Sequence, residues 1–198
     1  IIILVAIVLA YGSWHFRNLY EADVKSQLKS QSATSPDPLT ESDIASLPDP
    51  VKKYIRYTGV IGHPKVRNFK IMFEGKLRSE ETSPWMPFQS EQYNFLPQSF
   101  RLFFLNAEMK RLPVAGYHCY KNGEAFMDIR LLSLIRVQYQ EGVEMGVAET
   151  VTFFNDMCVM APATLIDPRI QWTKVEGNKV LAQFSTNGIT ISAWLHFN

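Results

Sequence analysis

The sequence predicts an α+β fold: a curved antiparallel β-sheet, a half-barrel-like meander, packed on one long helix and preceded by an N-terminal transmembrane helix. Three observations predict it. Residues 68–78 alternate apolar and charged side chains, the period of a strand with one wet face. Turn dipeptides at Asn122-Gly123, Gly177-Asn178 and Asn187-Gly188 each separate apolar or alternating runs, as tight hairpins require. An apolar run, Ile1 to Phe16, opens the chain.

That run is expected to be an uncleaved anchor. As a helix it reaches about 24 Å, short of the ~30 Å hydrocarbon core, so further apolar residues upstream are expected to complete the span. Ala10-Tyr11-Gly12 is a poor signal-peptidase site, and Tyr11 and Trp14 beside Arg17 suit a membrane interface. Residues 17–40 are polar and end in Ser35-Pro36-Asp37-Pro38, which predicts a flexible tether. The single β-rich domain is expected over 41–198 and beyond, because the last strand stops at Asn198 with no capping element. The domain is expected outside the cytoplasm. Its side stays open, since the charge rule needs the residues that precede the span.

Within the domain, Pro48 and Pro50 divide a helical segment in which Val51, Tyr54 and Ile55 share a face. Strands follow at 68–78, 91–95 and 100–107. In the last of these Phe100, Leu102 and Phe104 alternate with Phe103, Leu105 and Ala107, so both faces need cover: protein on each side, or protein on one and a ligand or second chain on the other. The covering helix is expected over Val143–Met160, with Val147, Val151, Phe154 and Cys158 inward and Asp156 off that face. Strands at 170–175, 179–186 and 189–197 complete the order.

Four motifs in sequence, Leu47-Pro48-Asp49-Pro50-Val51-Lys52-Lys53-Tyr54, Trp85-Met86-Pro87-Phe88-Gln89-Ser90-Glu91-Gln92, the tract Phe153 to Asp167, and Thr186-Asn187-Gly188-Ile189-Thr190-Ile191-Ser192, carry a resemblance. The chain resembles a bacterial family of uncharacterised, membrane-anchored domains of unknown function, over roughly residues 45–198. The tract at Thr152–Met157 departs from the Trp-Phe-Pro-Thr of many members and looks like a sub-branch. The resemblance implies an anchor and a domain boundary and no activity.

Composition narrows the function. Twenty basic against nineteen acidic residues give a net charge of +1, too little field to gather nucleic acid. Cys119 and Cys158 match no zinc spacing, and their separation leaves open whether they pair. His15, His63, His118 and His196 have no partner at a ligand spacing, so no metal and no cofactor are expected. Neither a phosphate loop nor a nucleophile elbow occurs. The order of elements is that of half-barrels that carry lipids in the bacterial envelope, an analogy of fold alone. The leading expectation is a membrane-tethered binding domain for a lipid or other hydrophobic molecule, lined by Trp85, Phe88, Phe100, Leu102, Phe103, Phe104, Phe126 and Phe154. An assembly module covered by a partner protein is the second reading. An envelope enzyme using the carboxylates Glu91, Glu149 or Asp156 is the third, although a polar helix flank explains the last two as well. Oligomeric state is not legible.

Overall fold

The computed structural model describes residues 2–31, 35–78 and 80–197. Ile1 of the expected anchor, Ser32, Ala33 and Thr34 of the expected tether, and Asn198 lie outside the described residues. Helix α1 spans Ile2–Ser30, and α2, Asp49–Tyr57, starts with Pro50 in its first turn, where a missing N–H costs nothing. Six strands then pair in sequential order as one antiparallel sheet: β1 (Asn68–Leu77), β2 (Met86–Phe95), β3 (Phe100–Met109), β4 (Leu112–Lys121), β5 (Glu124–Leu131) and β6 (Ile135–Glu141). Helix α3, Val143–Met160, and a 3-10 turn, Pro162–Ile166, lead to β7 (Ile170–Glu176), β8 (Lys179–Thr186) and β9 (Ile189–His196), a separate three-stranded antiparallel sheet. The expected meander is therefore antiparallel throughout, but it is divided between two sheets and does not close into a barrel.

The register sorts the large sheet into two faces. Tyr93, Leu102, Cys119 and Phe126 form one cross-strand row, with Glu91, Phe104, Tyr117 and Asp128 beside it. On this face lies α1, whose Phe16, Tyr20 and Val24, spaced four apart on one stripe, are buried against Phe95, Phe100, Leu102, Phe104 and Tyr117. Polar contacts fix it: Arg17 donates to Glu91 at 2.8 Å, and Tyr117 donates its hydroxyl to Asp23 at 2.6 Å. Residues 17–30, expected as tether, are thus helix docked on the domain. Among the described residues no helix is long and apolar enough to cross a membrane.

The opposite face receives α3 at one end only. Phe153, Phe154 and Met157 are fully buried with Tyr120, Val180, Ala182 and Phe184, joining α2, α3 and the small sheet into the main core. Phe154 stacks on Phe184 at 5.2 Å between ring centres. Gly146 lets α3 lie against the β4–β5 turn, since a Cβ there would fall 2.4 Å from the carbonyl oxygen of Gly123. The helix has the predicted bounds, and its inward face is as expected at Phe154, which is fully buried, and at Cys158, which packs against the core, but not at the other two positions. Val147 and Val151 are exposed, while Glu149 and Thr150 are buried. Cys119 and Cys158 are both free, so no bond joins them.

Candidate functional site

The inward turn of α3 is explained by Arg101. This residue sits on β3 in a row with Asn94 and Tyr120, on the face that α3 covers. Its guanidinium donates to Glu149 at 2.9 Å, to Asp156 at 3.1 Å and to the side-chain oxygen of Gln92 at 2.9 Å. Gln92 and Asn94 each donate an amide to the same Asp156 oxygen, at 2.7 and 2.9 Å. Glu149 and Asp156 lie seven apart, two turns of one helix stripe, so both reach the same cation. His118 adds its Nδ1 at 3.9 Å from Glu149. Burial pushes the Glu149 carboxyl up, but His118 and Arg101 outweigh it and hold the group below its ordinary value. It is ionised at neutral pH, which suits a structural counter-ion better than a general acid.

Beyond this network α3 no longer covers the sheet. Three cross-strand rows continue along the same face: Gln92, Phe103, His118 and Met127; then Ser90, Leu105, Gly116 and Ile129; then Phe88, Ala107, Val114 and Leu131. Ile71, Phe73 and Leu77 extend them onto β1. The apolar side chains of these rows are half-buried and belong to neither core cluster. Two glycines keep the surface low. The ring of Phe88 lies 3.2 Å from where Gly75 would carry a Cβ, and Gly116 leaves a notch between Leu105 and Ile129 that a Cβ would occupy in ordinary contact. Ser90 is 3% exposed on this face, opposite Phe73 and Leu105, and its hydroxyl is the one buried side-chain polar atom without a hydrogen-bond partner among the described residues. The result is an apolar strip bounded at one end by a charged network.

The expected site residues therefore divide. Phe88 and Phe103 lie on the strip, Phe103 edge-on to His118 at 5.4 Å. Phe100, Leu102 and Phe104 point the other way and are sealed beneath α1, because adjacent strand positions alternate faces. Phe126 is half-buried on that α1 side against Tyr117, and Phe154 fills the main core. Trp85 is exposed before β2 with Arg78 over its ring at 4.6 Å. Glu149 and Asp156 converge on Arg101, whereas Glu91 stands on the α1 face between Arg17 and Lys70, both at 2.8 Å. Burial opposes the Glu91 charge, and those two cations more than offset it. Arg101, Asn94 and Ser90 escape a reading of the sequence, since a polar residue inside a strand carries no sign of its partner. Among the described residues no group of three His, Cys, Asp or Glu could hold a metal ion.

Other hollows lie elsewhere. One of about 810 Å³ is bordered by Tyr54, Tyr57, Trp194 and Phe197, and another of about 830 Å³ by Asp23, Lys121, Glu141 and Asn187. Neither gathers a chemical constellation. A model of a family described as "Family of unknown function (DUF6544)" matches residues 37–198. No curated protein and no solved structure matches the chain.

Proposed function

From the premise that this chain belongs to the DUF6544 family of unknown function, we propose that its domain is a membrane-associated binding module for a lipid or another hydrophobic molecule. The observation that carries this is the apolar strip on the sheet face beyond α3, which no element of the described chain covers. An acyl chain laid along Phe73, Phe103, Leu105 and Ile129 would take that surface out of water. At roughly 25 cal/mol per Å², covering ~300 Å² of wall favours the complex by several kcal/mol before the costs of association. The Arg101 network closes the strip at its far end, so the ligand's polar head would lie toward the turns that join β1 to β2 and β3 to β4.

The Gly116 notch supplies the test. A Cβ there meets Leu105 and Ile129 at no less than 3.7 Å, so Gly116→Leu can start from the strand without a backbone clash and project its side chain onto the strip. Native mass spectrometry followed by solvent extraction should find lipid on the parent chain and little on Gly116→Leu, and a fluorescent fatty-acid probe should distinguish the two in the same way. A chain that carries no lipid and binds no probe refutes the reading. A doubled mass in light scattering would instead give the strip to a second copy.

A further inference from the structure

Two hairpin turns of the large sheet use residues that ordinarily avoid such turns. Where β4 meets β5, the left-handed positions are Asn122 and Gly123, at φ of 56° and 84°, the residue types that tolerate this backbone. At the opposite end of the strands, β3 and β4 are joined by Lys110 and Arg111, at 51° and 67°, and β5 and β6 by a turn with Leu132 and Ser133 at 54° and 58°. Long or branched side chains at positive φ are strained, and such strain persists where the side chain itself has a use.

What these tips present is consistent between them. Met109, Leu112, Leu134 and Ile135 are exposed there, Lys110 and Arg111 stand at one apex, and no acidic residue occurs in 109–112 or 131–136. Helix α1 leaves the domain at the same end. Its Gly12 packs so close to Leu134 that a Cβ would fall 2.2 Å from the leucine Cδ2, and the preceding turns expose Ile3, Leu4, Ile7 and Val8. The β1–β2 link differs, since it carries Glu80 and Glu81.

We propose that the β3–β4 and β5–β6 tips and the apolar start of α1 form one continuous surface that seats on an anionic lipid bilayer. Met109, Leu112, Leu134 and Ile135 enter the headgroup layer, and Lys110 and Arg111 take lipid phosphates. This rests on the membrane association proposed above and not on the bound ligand.

The test uses the full chain with vesicles of phosphatidylcholine and of a phosphatidylcholine–phosphatidylglycerol mixture. Amide exchange should slow at 109–112 and 131–136 on the anionic vesicles and stay unchanged at Asn122-Gly123. The double variant Lys110→Asn/Arg111→Gly suits its turn better than the parent and so keeps the fold. It should partition about twenty-five-fold more weakly, each basic residue near an anionic surface being worth about fivefold. A chain that binds vesicles with no change of exchange at the tips, or a double variant that partitions as the parent does, overturns the proposal. A chain that binds no vesicle overturns the membrane association as well and leaves ligand binding standing, to be read separately from lipid extraction.

Discussion

Replacing Arg101 by leucine should convert a balanced buried cluster into an unbalanced one, and the pH dependence should reveal it. Arg101 holds Glu149 and Asp156 at 2.9 and 3.1 Å, with Arg101 and Glu149 both buried. Removing one member of such a pair costs about 3–5 kcal/mol, because a charge is left without its partner. With a urea slope of ~2 kcal/mol/M, the midpoint at pH 7.5 should fall by about 2 M. The sign with pH follows from linkage. In the parent chain the Glu149 value is lowered, so its contribution is complete above the unfolded value of about 4.3 and is lost as pH falls through the folded one. Without the guanidinium, Glu149 keeps only His118 to set against its burial, so its value is less depressed and the variant loses less stability than the parent toward acid. Urea titrations followed by circular dichroism at pH 7.5 and at about pH 3.5 should therefore show the gap between the two proteins narrowing at the lower pH. An equal gap at both values would refute the assignment of Arg101 as counter-ion.

Three further outcomes test the packing. Ser90→Ala removes a buried hydroxyl that has no partner, which should raise stability by about 1 kcal/mol and the melting temperature by about 2–4 °C; a fall would mean that the hydroxyl is satisfied. Gly146→Ala gains about 1 kcal/mol of helix propensity yet drives a methyl against the Gly123 carbonyl, so calorimetry should show net destabilisation. Tyr20→Ala empties a fully buried site between Phe104 and Tyr117, where loss of a large ring costs about 3–5 kcal/mol. Amides of α1 should then exchange faster while those of β8 do not, and unaltered exchange in α1 would contradict the docking.

The fold was legible where local chemistry decides it. The Gly177-Asn178 and Asn187-Gly188 turns mark the three strands of the small sheet, and the bounds of α3 lie between Gly142 and Pro162. Its orientation was legible at Phe154 and Cys158 only. Hydrophobic periodicity points Val147 and Val151 inward, whereas Arg101 on a strand more than forty residues away draws Glu149 and Asp156 there instead. The turns at Lys110-Arg111 and Leu132-Ser133 contain no Gly or Asn and give no turn signal. Phe16, Tyr20 and Val24 did offer one, a stripe of period four within a polar stretch, and it outlines the helix that seals Phe100, Leu102 and Phe104. The doubly apolar character of β3 predicted two covers, of which the described chain supplies one in full.

The docking of α1 also has a mechanical side. Arg17 to Glu91 and Tyr117 to Asp23 clamp the helix at points almost two turns apart, and Gly12 is wedged on Leu134 a further turn and a half away. Three fastenings along one rod remove both the swing and the twist that a single hinge would allow. Whatever holds the first turns of α1 must therefore also fix the height and bearing of the large sheet. Such a domain does not swing as a head on a loose leash does; it moves as one body with α1.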